Sequence, residues 1–188
     1  MKLARGRKGF TLIELMIVVA ILGIMSASAV PFFRAAYYAV LRSRGYSEIA
    51  LSALPAMTLI EEDVRGAGAV VPAWGGFKSS ARCLVLATPS VLPGRRLSLE
   101  SQDHVVYCAD SKNPRTLFKR VFAAPGSARA PSTQVLARNL DELRFSFVPS
   151  LPDAALVTFE VAFGAGAGAG AVQRTFTSSA GLRNRGSR

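Results

Sequence analysis

Acidic side chains, cysteine and histidine are all scarce in this chain. Its 188 residues hold 12 acids against 23 lysines and arginines, two cysteines and one histidine. His104 with Cys83 and Cys108 is too small a set for a metal cluster, and no zinc-type spacing occurs, so neither metal nor cofactor is expected. Nucleophilic catalysis is poorly served too. Asp103 and His104 are neighbours, which on a strand point to opposite faces, and no nucleophile-elbow motif is present. They read as a polar pair at a strand edge, and the chain reads as no enzyme. The net charge of +11 suggests nucleic acid, anionic lipid or an acidic partner. Four of the charges, Lys2, Arg5, Arg7 and Lys8, form an N-terminal leader with no acid in it, and losing them takes +11 down to +7. The rest are scattered, apart from Arg115, Lys119 and Arg120 and a group at the C-terminus. Scatter of this kind describes a solvated surface better than a nucleic-acid face.

What the chain has in quantity is apolar sequence, concentrated near its start. Between Leu15 and Phe33 the only polar side chains are Ser26 and Ser28. The run from Phe10 is long enough to cross a bilayer as a helix. The basic leader fits a cytoplasmic start, although Arg34, Arg42 and Arg44 weaken the asymmetry. One residue does not fit a merely greasy segment: Glu14. A secretory signal with "ASA" at 27–29 as its cleavage site has no use for an acid in its apolar part. A plain membrane anchor would only be destabilised by one, by about 2.5–3.5 kcal/mol near its centre. A cut between Gly9 and Phe10 supplies a partner. It creates an α-amino group at Phe10, cationic at neutral pH, with Glu14 four residues away on the same helical face.

Gly9-Phe10-Thr11-Leu12-Ile13-Glu14, behind a short basic leader, resembles the cleavage and N-methylation motif of type IV prepilins and type II secretion pseudopilins. Pro31 stands where many members of that family carry a helix-kinking proline. The resemblance implies that a prepilin peptidase cuts after Gly9 and methylates the Phe10 amine. It implies that Glu14 pairs with the N-terminal amine of a neighbouring subunit, and that the partners are other minor and major pilin subunits. It also implies a single-pass inner-membrane protein, N-terminus cytoplasmic and domain periplasmic, that later enters a pilus or pseudopilus.

Past Phe33 the pattern stays helical. Tyr46, Ile49, Ala53, Met57, Ile60, Val64 and Ala67 step by three and four, which is one helix face. Pro55 inside it predicts a kink or short break near residues 52–54, and Gly66 and Gly68 offer a stop. The acids of "EED" at 61–63 sit near the helix C-terminus, where the dipole disfavours them, so Asp63 needs Arg65 or an arginine of the domain. Beyond Val70 the period changes to two. Segments 82–88, 103–109, 116–122, 143–148, 156–163 and 173–179 are short, rich in β-formers and bounded by turn residues. They predict antiparallel strands covering one side of the helix.

The expected fold is therefore α+β: leader 1–9, membrane or assembly helix 10–33, its continuation 34–68, and a β-rich domain 69–188. "GAGAGAGA" at 164–171 reads as a flexible hairpin tip, lacking what a phosphate loop needs. Cys83 and Cys108 fall in separate strands, so a disulfide is allowed outside the cytoplasm, with two free thiols as the alternative.

The helix end Asp63-Val64-Arg65, the pair Val106-Tyr107 and Leu117–Arg120, and segments 137–147 and 180–185 loosely resemble PilW-like and GspJ-like minor subunits. That resemblance implies a subunit of a tip or priming complex, in a type IV pilus or a type II secretion pseudopilus. Two other classes compete: a secreted binding domain starting near Val30, and a tip subunit that touches nucleic acid or a surface ligand through its positive charge.

Overall fold

A computed structural model describes residues 9–94, 96–166, 168 and 171–182. The chain divides into two compact units, one up to Leu41 and one from Arg42. A single 55-residue helix, α1 (Leu12–Gly66), runs through both. In the first unit α1 buries nothing. Its large apolar side chains from Leu12 to Val40 stand exposed, apart from half-buried Tyr38. This is the one described helix long and apolar enough to cross a membrane.

In the second unit α1 becomes a core element. Its buried residues are Gly45, Ile49, Ala53, Ala56, Met57, Ile60 and Val64. The expected stripe holds from Ile49 onward, but Tyr46 is 46% exposed and Gly45 takes the first buried place. The cause is close packing. A Cβ on Gly45 would come within 2.6 Å of Val172 Cγ2, so only glycine lets the last strands approach the helix there. Alanine would gain about 1 kcal/mol of helix propensity. It would also press on a β-branched, stiff side chain, which costs about 1–3 kcal/mol. Gly45→Ala is therefore expected to lower the melting temperature by roughly 2–4 °C. Combining it with Val172→Ala should cost less than the sum of the two single changes.

The break expected near residues 52–54 does not occur, and α1 is helical without interruption through Pro31 and Pro55. Pro55 lies on the exposed side, opposite the stripe, and Leu51, whose carbonyl loses its bond, is 79% exposed. Water can serve that carbonyl, and one missing bond does not end a helix whose other face is packed.

Ten strands follow. β1 (Ala69–Val70), β4 (Cys83–Leu92), β5 (Arg96–Ala109), β6 (Leu117–Phe122) and β7 (Ser132–Ala137) form an antiparallel sheet in the order β1-β4-β5-β6-β7. β8 (Leu140–Val148), β9 (Leu156–Ala165) and β10 (Val172–Gly181) form a three-stranded sheet, order β10-β9-β8. β2 (Ala73–Trp74) and β3 (Phe77–Lys78) make a separate hairpin. The predicted strands are thus real but split between two sheets. One core unites them: Ile60 and Val64 of the helix, Leu84, Leu86, Val105 and Leu117 of the first sheet, Phe145, Phe159, Val161 and Phe163 of the second. Burying such aliphatic and aromatic side chains is the main stabilising term, about 1.5–3 kcal/mol each.

The alternate side chains of the first sheet face away from the helix. Val85, Val106 and Cys108 there gather Phe77, Phe118 and Phe122 into a second, smaller cluster. The β2–β3 hairpin forms its lid. Gly75 and Gly76 turn the hairpin with φ of 56° and 85°, the positive values a two-residue turn demands. Trp74 then stacks on His104, rings 3.6 Å apart and nearly parallel. The Gly-Ala run does connect β9 to β10, whose register begins at Val172 opposite Ala165. The flexibility expected of its tip concerns residues 167, 169 and 170, which lie outside the described residues, as do 183–185 of the C-terminal resemblance.

Candidate functional site: the N-terminal motif and the helix clamp

Gly9, Phe10 and Thr11 are not helical, and α1 starts at Leu12. Thr11 is thus the N-cap and Glu14 the third helical residue, the arrangement of a capping box. The Glu14 amide donates to Thr11 Oγ1 at 3.3 Å, while the Thr11 amide and hydroxyl both donate to Glu14 Oε2 at 3.1 Å. The carboxylate also lies at the positive end of the helix dipole. So Glu14 has a partner within its own chain before any neighbour arrives. The shared helical face expected for Phe10 and Glu14 is absent here, because Phe10 precedes the helix. Sequence reading missed the box although its signal, Thr-x-x-Glu ahead of an apolar run, is written in residues 11–14. Phe10 itself is 82% exposed and free to be handled by another protein.

This geometry occurs at the head of a known pattern. The family model described as the prokaryotic N-terminal methylation motif matches residues 4–30. The N-terminus is that of a type IV prepilin-like protein. The motif is a prepilin peptidase cleavage site and implies other pilin subunits as partners. The exposed apolar helix that follows this motif fits membrane anchoring, and the α+β architecture is pilin-like.

The acids at the far end of α1 fix the helix to both sheets. Asp63 is bound by Lys119 Nζ of β6 at 2.5 Å and by the Tyr107 hydroxyl of β5 at 2.5 Å. The arginine expected for Asp63 is therefore a lysine and a tyrosine. Arg65 turns instead to Glu61, at 3.3 Å. Glu61 also accepts from Ser178 of β10. These contacts explain acids that the helix dipole disfavours.

Burial first, and the Asp63 carboxylate second, push the Tyr107 phenol far above its ordinary value near 10. A raised folded-state pKa stabilises fully below the unfolded pKa, and that stability is lost as pH climbs past it. Wild-type protein is thus expected to lose stability steeply above about pH 10. Tyr107→Phe, weaker at neutral pH, should show a shallower loss. Urea unfolding of both proteins at pH 8 and pH 11 checks this.

The other polar residues singled out by sequence are structural in their contacts. Asp103 and His104 are not at a strand edge, since β5 is flanked by β4 and β6. Asp103 is fully buried and accepts from Ser90 Oγ at 3.1 Å, the Ala124 amide at 2.8 Å, Ser127 Oγ at 2.9 Å and Arg129 at 3.4 Å. A buried carboxylate needs such a set of donors. His104 faces the other way, under Trp74, so no serine, histidine and acid converge. Burial lowers the His104 pKa, opposed by the nearby Asp103 charge. The basic group 115–120 also dissolves: Arg115 pairs with Asp141, Lys119 with Asp63, and Arg120 points to the opposite face. Cys83 and Cys108 stand directly opposite on β4 and β5, Cα atoms 4.2 Å apart, sulfurs facing each other. Among the described residues no group of three or more metal-ligating side chains forms.

Proposed function

We propose that the chain is a minor pilin, a structural subunit that helps to initiate or cap a type IV pilus within a tip or priming complex. The observation that carries this reading is the methylation motif leading into an apolar helix with no buried residue before Gly45. Such a helix needs a bilayer or the apolar helices of other subunits around it. Cleavage between Gly9 and Phe10 and methylation of the Phe10 amine would give the mature start. Glu14 would then leave Thr11 or share its oxygens with the amine of a neighbouring subunit. Before assembly the chain would sit in the inner membrane with the β-rich domain in the periplasm, where a Cys83–Cys108 disulfide is permitted. Support for a minor subunit comes from the helix clamp. Asp63, Tyr107 and Lys119, which contact one another, belong to the segments that resemble PilW-like and GspJ-like proteins.

The test is the intact mass and N-terminal sequence of the membrane-associated protein. A start at methylated Phe10 is expected, with a mass lower by two hydrogens for the disulfide. A start near Val30 would mean a discarded signal and a secreted domain. Deleting the gene should abolish surface pili and spare protein secretion. Lost secretion with pili intact would move the chain to the type II secretion pseudopilus.

A further inference from the structure

The outer face of the first sheet is covered at one end by the β2–β3 hairpin and open at the other. The opening is a groove of about 810 Å³, between the hairpin tip at Phe77 and the turn after β5. Its floor is Cys83, Cys108 and Phe118, and its far side is Thr133 and Val135 of β7. Three cations surround it: Arg82, Lys112 and Arg120. None of the three has an ion pair among the described residues, whereas Arg65, Arg115, Lys119, Arg129 and Arg144 all do. The acid in the groove, Asp110, accepts from the Lys112 amide and caps the local turn. Arg120 is held in place. Its Nε donates to Thr133 Oγ1 at 2.9 Å, and its guanidinium lies 5.5 Å from the Phe77 ring and 5.9 Å from the Phe118 ring. That leaves its two terminal amino groups for a ligand, with little rotamer freedom still to lose.

The second observation is the sheet edge. β7 is the last strand of the five, paired with β6 and with no other described strand. Residues 132–135 are exposed, and Val135 is half open to solvent. The strand carries no charge or proline that would blunt its edge.

We propose that this surface takes an extended, acidic segment of a different chain, laid antiparallel or parallel along β7, with its carboxylates on Arg120, Arg82 and Lys112. The edge decides between anionic ligands. Main-chain donors and acceptors at strand spacing suit a peptide, and the neighbouring groove selects alternate side chains. A second copy of this chain is a poor occupant, since its net charge is +11 and two of the three acids of its longest acidic run, Glu61 and Asp63, are spent on the clamp. The inference does not depend on which machine the chain serves.

The test uses the full chain in detergent and three labelled probes: an alternating Glu/Val peptide of about eight residues, matched to a strand, its Lys/Val counterpart, and an oligo-dT. Fluorescence anisotropy should show binding of the Glu/Val peptide and none of the Lys/Val peptide. Lys112→Glu and Arg82→Glu change exposed side chains and should each weaken it by roughly tenfold. Hydrogen exchange should slow at the amides of residues 132–136 when the peptide is bound. Arg120→Lys keeps a charge but not the planar fork, and should weaken binding with the melting temperature nearly unchanged. Equal binding of both peptides, no binding of the Glu/Val peptide, or indifference to both charge reversals overturns the proposal. So does oligo-dT displacing the peptide, which would make the groove a nucleic-acid site.

Discussion

Glu14→Ala is expected to leave the chain cleaved but largely excluded from assembled fibres. Two contributions of the carboxylate separate cleanly. Locally it completes a capping box with Thr11, and losing a capping interaction costs about 1 kcal/mol. That frays the first turn without moving Gly9 or Phe10, which lie outside the helix. Between subunits, on the proposed function, it would be the counter-charge for an ammonium group held among apolar helices. An unpaired charge in such a place costs several kcal/mol, and each 1.4 kcal/mol is a factor of about ten in an association constant. Incorporation should therefore fall by well over an order of magnitude, while processing stays near wild type. Glu14→Gln distinguishes the two contributions, because glutamine serves in a capping box but carries no charge. If it assembles normally, capping is all that Glu14 does. If it fails like the alanine variant, the charge is what assembly requires. Fractionated pili and the membrane pool, probed for cut and uncut chain, give both readings.

Asp63→Ala is expected to be the most damaging single change in the folded unit. It strands Lys119, whose side chain is only 15% exposed, and takes away the near partner of the Tyr107 hydroxyl. The hydroxyl keeps a longer bond to the Leu59 carbonyl, at 3.3 Å. Removing one member of a fully buried pair costs about 3–5 kcal/mol, and the partial exposure of this pair reduces that to about 2–4. The melting temperature should drop by roughly 5–12 °C. Lys119→Met, which removes the stranded charge, should restore part of the loss in the Asp63→Ala background. A double mutant no better than the single would mean that the lysine reaches water and the clamp is a surface contact.

Elements with strict periodicity were legible in the sequence, and long-range partners were not. Ile49, Ala53, Met57, Ile60 and Val64 announce their buried face because a helix repeats every 3.6 residues. Tyr46 fits the same spacing but is exposed. Whether a residue is covered depends on how far the partner strands reach, and Gly45 marks the limit of that reach. Alternation in 143–148 and 156–163 gave the strands but not their division into two sheets, which is a matter of pairing between distant segments. β7 and the β2–β3 hairpin went unread. For the hairpin the signal exists, a Gly-Gly pair between Trp74 and Phe77, yet strands of two residues have no period to display. At the site, Gly9, Phe10 and Glu14 stood out as a pattern of fixed positions. The lysine and tyrosine on Asp63 could not, because β5 and β6 bring them to the helix from 44 and more residues away.

The start of α1 at Leu12 bears on how a peptidase could act. Proteases bind their substrates as extended chain, since a helix hides its carbonyls along its own axis. The bond between Gly9 and Phe10 lies one residue ahead of the threonine that caps the helix. A protease can seize it without unwinding any helical turn. If the chain is cut there, as proposed, the capping box would stay on the product side and the shortened chain would keep its helix nucleus for its next partner.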